Sequence, residues 1–105
     1  MEINYVSIEE VTYGEPVEQQ LLDELLELEL IQARRDDREV LLVAEKDCED
    51  LRTMLRLATV LEINPAGVET IMYMRRRMRE LQQELRRLRL LERAYAAMRP
   101  NEPIG

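Results

Sequence analysis

Between residues 71 and 88, Ile71, Met74, Met78, Leu81, Leu85 and Leu88 recur at alternating steps of three and four. This is the a/d spacing of a supercoiling α-helix, with every apolar side chain on one seam. It predicts a single helix from about residue 64 to 98, which at about 1.5 Å per residue is roughly 50 Å long. The sixty-odd residues that precede it are too few to cover a rod of that length. An uncovered seam calls for a second chain, so the expectation is a homodimer joined through Ile71, Met74, Met78, Leu81, Leu85 and Leu88. Beyond Leu88 the apolar residues are Leu91, Tyr95 and Met98, displaced by a three-residue step that overwinds or ends a supercoil.

The same helix carries eight arginines between Met72 and Tyr95, in a chain whose net charge is −7. Residues 1–50 hold sixteen acids and four bases, net −12, and residues 51–105 hold six acids and eleven bases, net +5. Halves of opposite sign attract, within or between chains. With Ile71 as a, Arg75 and Arg89 fall at e and Arg77 at g, the positions flanking a coiled-coil seam. There the arginine stems cover apolar surface while the guanidinium groups seek carboxylates. Glu84 and Arg87 are spaced i,i+3 for such a pair.

Upstream, "INYVSIEEV" begins with alternating apolar residues, then offers Ser7 as an N-cap and Glu10 three residues later, a capping-box pattern that predicts a first helix over about 7–13. Gly14 and Pro16 break it. The run "VEQQLLDELLELEL" predicts a second helix, with Leu21, Leu22, Leu25, Leu26 and Leu28 on one side and Gln20, Asp23, Glu24 and Glu27 on the other. From Ile31 to Val43 the pattern becomes a short hairpin, with Asp36-Asp37 turning the chain before the extended Val40 to Val43. A third helix is expected over about 45–61, with Cys48, Leu51, Met54, Leu55 and Ala58 at spacings of three and four. In "INPAG" Asn64 can cap the long helix, and Pro65 stands where its missing N–H costs nothing.

With no Trp, no Phe and four Tyr, Leu, Ile, Val and Met must fill the core, and Met72, Met74 and Met78 read as core methionines. Cys48, in line with Leu51 and Leu55, reads as a small buried hydrophobe. A single cysteine excludes an internal disulfide, and the amino terminus shows no charged-then-apolar leader. The expectation is a cytoplasmic, soluble protein without membrane association. There is no His, no glycine-rich phosphate loop and no nucleophile beside a base. The arginines of "RRDDRE" would oppose a calcium ion. No catalytic, cofactor-binding or metal-binding residue is expected, and the protein is not expected to be an enzyme.

The order helix, break, helix, wing, helix, long coiled-coil helix resembles MerR-type regulators over nearly the whole chain. "YVSIEEV" resembles the opening of their first helix, "LLDELLELELIQ" the second helix running into the wing, and "EKDCEDLRTMLRLATVLEINPAGVETIM" the stretch after the wing. Within that group "LATVLEINPAGVETIMYMRRRMRELQQELRRLR" is similar to the CbpM-type chaperone modulators, which bind and inhibit a J-domain co-chaperone. The resemblance implies a mainly α protein. Residues 1–63 would form a degenerate MerR-like winged helix-turn-helix with a small β-hairpin, residues 64–98 a long coiled-coil dimerisation helix, and residues 99–105 a polar tail.

The sequence departs from the DNA-binding members where it matters for phosphate. Their second helix is usually aromatic and arginine-rich, with a glycine leading into the wing. Here it reads "LLDELLELELI", with Glu29 in the place of that glycine. Such a helix would press Asp23, Glu24 and Glu27 against phosphates, where a close like-charge pair costs on the order of 1 kcal/mol even in high dielectric. The expected partner is therefore a J-domain protein, whose family uses a basic second helix to contact Hsp70, with Gln20, Asp23, Glu24 and Glu27 as the partner-binding residues. The alternative is a DNA-binding regulator that uses the wing and helix start, with Ala33 to Arg35 as its few basic contacts.

Overall fold

The computed structural model describes residues 2–99. It is built from three short strands, β1 (Tyr5–Ser7), β2 (Ala33–Arg35) and β3 (Leu41–Ala44), and four α-helices, α1 (Ile8–Val11), α2 (Gln19–Glu27), α3 (Cys48–Thr59) and α4 (Pro65–Met98). Contacts divide the chain into two units, one ending at Met72 and the other beginning at Tyr73. The boundary falls inside α4, because Val68 and Met72 are fully buried in the core of the first unit.

The hairpin expected from "IQARRDDREVLLV" is present, and β3 is its inner strand. β3 pairs antiparallel with β2 through Ala33↔Val43, Arg34↔Leu42 and Arg35↔Leu41. It pairs on its other side with β1, Val6 lying opposite Val43. Directly opposed residues share a face of a sheet, so Val6, Val43 and Ala33 form one apolar row against the core. The turn is built by Asp36, whose Oδ1 accepts from the N–H groups of Arg38 at 2.8 Å and Val40 at 2.9 Å, the local role Asp favours in turns. Strand β1 is not among the elements expected from the sequence. The alternating apolar residues noted at the start of "INYVSIEEV" become a strand there by pairing with β3.

The helices obey their caps, with shorter bounds than expected. Ser7 Oγ accepts from the Glu10 N–H at 3.3 Å, and α1 closes after a single turn at Gly14, with φ 76°. The second helix spans Gln19–Glu27 instead of reaching residue 30, because Glu29 adopts φ 57° and its N–H turns back to the Leu26 carbonyl at 3.1 Å. Glu29 thus takes the left-handed conformation that usually falls to glycine after a helix. The third helix begins at Cys48, after a 3-10 turn over Glu45–Asp47. The Asp47 carboxylate accepts from the Gln32 N–H at 2.8 Å, tying that turn to the start of the hairpin. Asn64 caps α4 as expected, its Oδ1 accepting from the Gly67 N–H at 2.8 Å. A Cβ at Gly67 would lie 2.6 Å from the Ile63 side chain, so glycine there permits the close approach.

The first unit's core gathers Val11, Leu22, Leu25, Ile31, Leu41, Val43, Cys48, Leu51, Met54, Leu55, Val68 and Met72. Each large side chain buried in this way contributes roughly 1.5–3 kcal/mol relative to exposure. In the second unit every described residue from Tyr73 to Arg99 except Arg76 is exposed. Met74 and Met78 are therefore not core residues of this chain, contrary to the expectation, and only Met72 of the three is buried. The expected tail falls at 99–105, and residues 100–105 lie outside the described residues.

Candidate functional site

At about 100° per residue, Gln20 and Glu27 point directly away from the buried Leu22 and Leu25 and Asp23 lies about 50° to one side of them, and all three are exposed. Glu24 turns toward one flank and is half-buried. Two i,i+4 hydrogen bonds order the face. Gln19 Nε2 donates to Asp23 Oδ1 at 2.8 Å, and Gln20 Nε2 donates to Glu24 Oε1 at 3.4 Å. Each glutamine holds one carboxylate oxygen and leaves the other available to a partner. Glu29, beyond the end of the helix, is also exposed. The four residues singled out from the sequence are thus brought together on one helix face, with Glu24 at its edge.

The six seam residues keep their line on α4, but they are not equivalent. Ile71 is half-buried beside the first unit's Met72, whereas Met74, Met78, Leu81, Leu85 and Leu88 are 47–58 % exposed. Ion pairs decorate a different side. Arg77 meets Glu80 at 3.1 Å, and Arg87 meets Glu84 at 2.7 Å, the second through two guanidinium nitrogens. The Arg87 hydrogen bonds hold the Glu84 carboxyl below the usual glutamate range and raise Arg87 in return.

Two of the three hairpin arginines are already engaged. The Arg34 guanidinium stacks 4.6 Å from the centre of the Tyr5 ring, and Arg35 donates to the Glu39 carbonyl at 2.9 Å. Cys48 is buried, as the apolar spacing implied, and its burial pushes the thiol pKa up. Among the described residues no three His, Cys, Asp or Glu side chains converge as a metal site, and no helix is long and apolar enough to cross a membrane.

A second feature of the first unit has no forerunner in the sequence pattern. Arg52 on α3 donates from Nε to the Val11 carbonyl at 2.8 Å, pairs with Glu49 at 3.0 Å and lies 4.9 Å from the centre of the Tyr13 ring. Tyr13 has φ 54° and is 78 % exposed. The contact joins residues about forty positions apart, and no local pattern announces it.

A family model described as MerR HTH family regulatory protein matches residues 6–90. Neither the curated proteins nor the solved structures gave a match.

Proposed function

The chain belongs to the MerR family of helix-turn-helix regulatory proteins, and from that premise we propose that it is a non-enzymatic member that acts on a protein. Its target is a J-domain co-chaperone, which it restrains by occupying the basic surface that the J domain offers to Hsp70. The observation that carries this reading is the exposed face of α2, the helix that in this architecture would enter a DNA groove. It presents Asp23 and Glu27 outward with Gln20 beside Glu27 and Glu24 on the flank. Against phosphate those charges are repulsive. Against a cationic helix they speed encounter and set register. Likeness to the CbpM-type modulators supplies the particular partner.

The working form is a homodimer, paired through Met74, Met78, Leu81, Leu85 and Leu88. A leucine and methionine seam about half exposed along about four helical turns is far more apolar surface than a monomer keeps in water. The arginines at e and g then flank the pairing.

A second reading, DNA binding, draws on the family's character and on Arg34, Arg35 and Arg38 in the hairpin. Its phosphate contacts would be few, and Arg34 and Arg35 already answer Tyr5 and Glu39. The two readings separate in one pair of titrations. A purified J domain should form a stoichiometric complex that charge reversal at Asp23 and Glu27 weakens, while duplex DNA should bind weakly or not at all. Tight DNA binding that falls steeply with salt, with no J-domain complex, would reverse the assignment.

A further inference from the structure

The turn between α1 and α2 and the carboxyl-terminal half of α3 enclose an apolar groove of about 430 Å³ in the first unit. Its walls include Tyr13, Val17 and Leu21 on one side and Leu55, Thr59 and Val60 on the other. Tyr13 and Val60 are 78 % and 71 % exposed, so large apolar groups face solvent across a concave site. Such a volume lies within the usual range of ligand pockets, and it suits a few side chains better than a whole cofactor. Tyrosine and arginine are also among the residues enriched at the energetic centres of protein interfaces.

The charge around the groove selects what enters. Arg52, at the groove, is already answered by Glu49. Glu15 and Glu18 line the opening. Leu21 stands about 60° around α2 from Glu24, so the wall of the groove meets the near edge of the acidic face, whose Gln20, Glu27 and Asp23 lie about 100°, 120° and 160° from Leu21. Glu15 and Glu18 at the opening and Glu24 beside it are therefore the carboxylates nearest the site, with Arg56 also at its rim and Asp23 and Glu27 farther around α2. We infer that this groove receives apolar side chains from one face of a cationic amphipathic helix of a partner protein, while the helix's basic face lies along the carboxylates of α2. The inference rests on the reading of α2 as a protein-binding face and extends that face to an apolar anchor site.

The test uses the full chain and two synthetic helical peptides, one of leucine and lysine and one of the same pattern with glutamate in place of lysine. Amide resonances are followed during titration. The leucine-lysine peptide should shift Tyr13, Leu21, Leu55 and Val60 saturably, and the glutamate peptide should not bind. Tyr13→Ala, and Thr59→Trp as a plug for the groove, should each weaken binding at least tenfold, with circular dichroism showing that the fold is kept. Shifts confined to Asp23 and Glu27 or to α4, equal binding of both peptides, or unchanged affinity in folded Thr59→Trp would overturn the inference. A chain that binds the lysine peptide in the groove but no J domain would remove the J-domain assignment and leave the groove standing. A chain that binds the J domain but leaves the groove resonances untouched by the lysine peptide would do the reverse.

Discussion

Replacing Glu29 by glycine should stabilise the first unit. Glu29 follows the carboxyl-terminal cap of α2 at φ 57°, in the left-handed region. A residue with a Cβ pays about 1–2 kcal/mol there, and glycine does not. Glycine's extra freedom in the unfolded chain returns about 0.5–1 kcal/mol of that. The difference predicts a gain of about 0.5–1 kcal/mol, which for a unit of this size raises the melting temperature by about 2–8 °C. Glu29→Ala keeps the Cβ and removes the same charge, so it should change stability little and isolates the backbone effect from the electrostatic one. Glu29→Val, stiff at χ1, should lose stability. Urea unfolding at a fixed protein concentration, followed by circular dichroism, measures all three, with the denaturant slope expected to hold constant. If glycine lowers stability, or if alanine gains as much as glycine, the conformational argument fails and the Glu29 carboxylate is the cause.

Leu81→Asp together with Leu85→Asp should turn a dimer into a monomer in sedimentation equilibrium, with loss of helical signal from the second unit. Met54→Ala should cost about 2–5 kcal/mol through the cavity it leaves, read as a fall in the urea midpoint, because Met54 is fully buried. The Glu84–Arg87 pair should stabilise α4 above the ordinary glutamate range. Because the folded pKa of Glu84 is depressed, that contribution is lost only as pH falls through the lowered value, and Glu84→Gln should remove this part of the acid titration of helicity. Cys48, with its pKa raised by burial, should react with a thiol reagent far more slowly in the folded chain than in urea at the same pH.

What could be read from the residues alone was what is written locally. The Asn64-Pro65 start of α4, the Ser7 cap, the Asp36 turn and the two faces of α2 each depend on neighbours within four positions. The exchange of glycine for Glu29 was visible in the residues, but that the chain keeps a left-handed turn there was not. What escaped was set by partners distant in sequence. β1 exists because β3 pairs with it about forty residues later, and the groove beside Tyr13 takes its other wall from α3, about forty positions on. The methionines misled for a related reason. Met72 and Met74 lie two residues apart on one helix, and only the folded core decides that the first is inside it and the second is not.

The sheet has its fully paired strand in the middle, and each outer strand is three residues long. An incoming chain would find two or three free backbone groups on either border, too few to nucleate another strand. The fold therefore resists growing by β-addition, and any association of the chain must pass through side chains, where a single substitution can tune or abolish it.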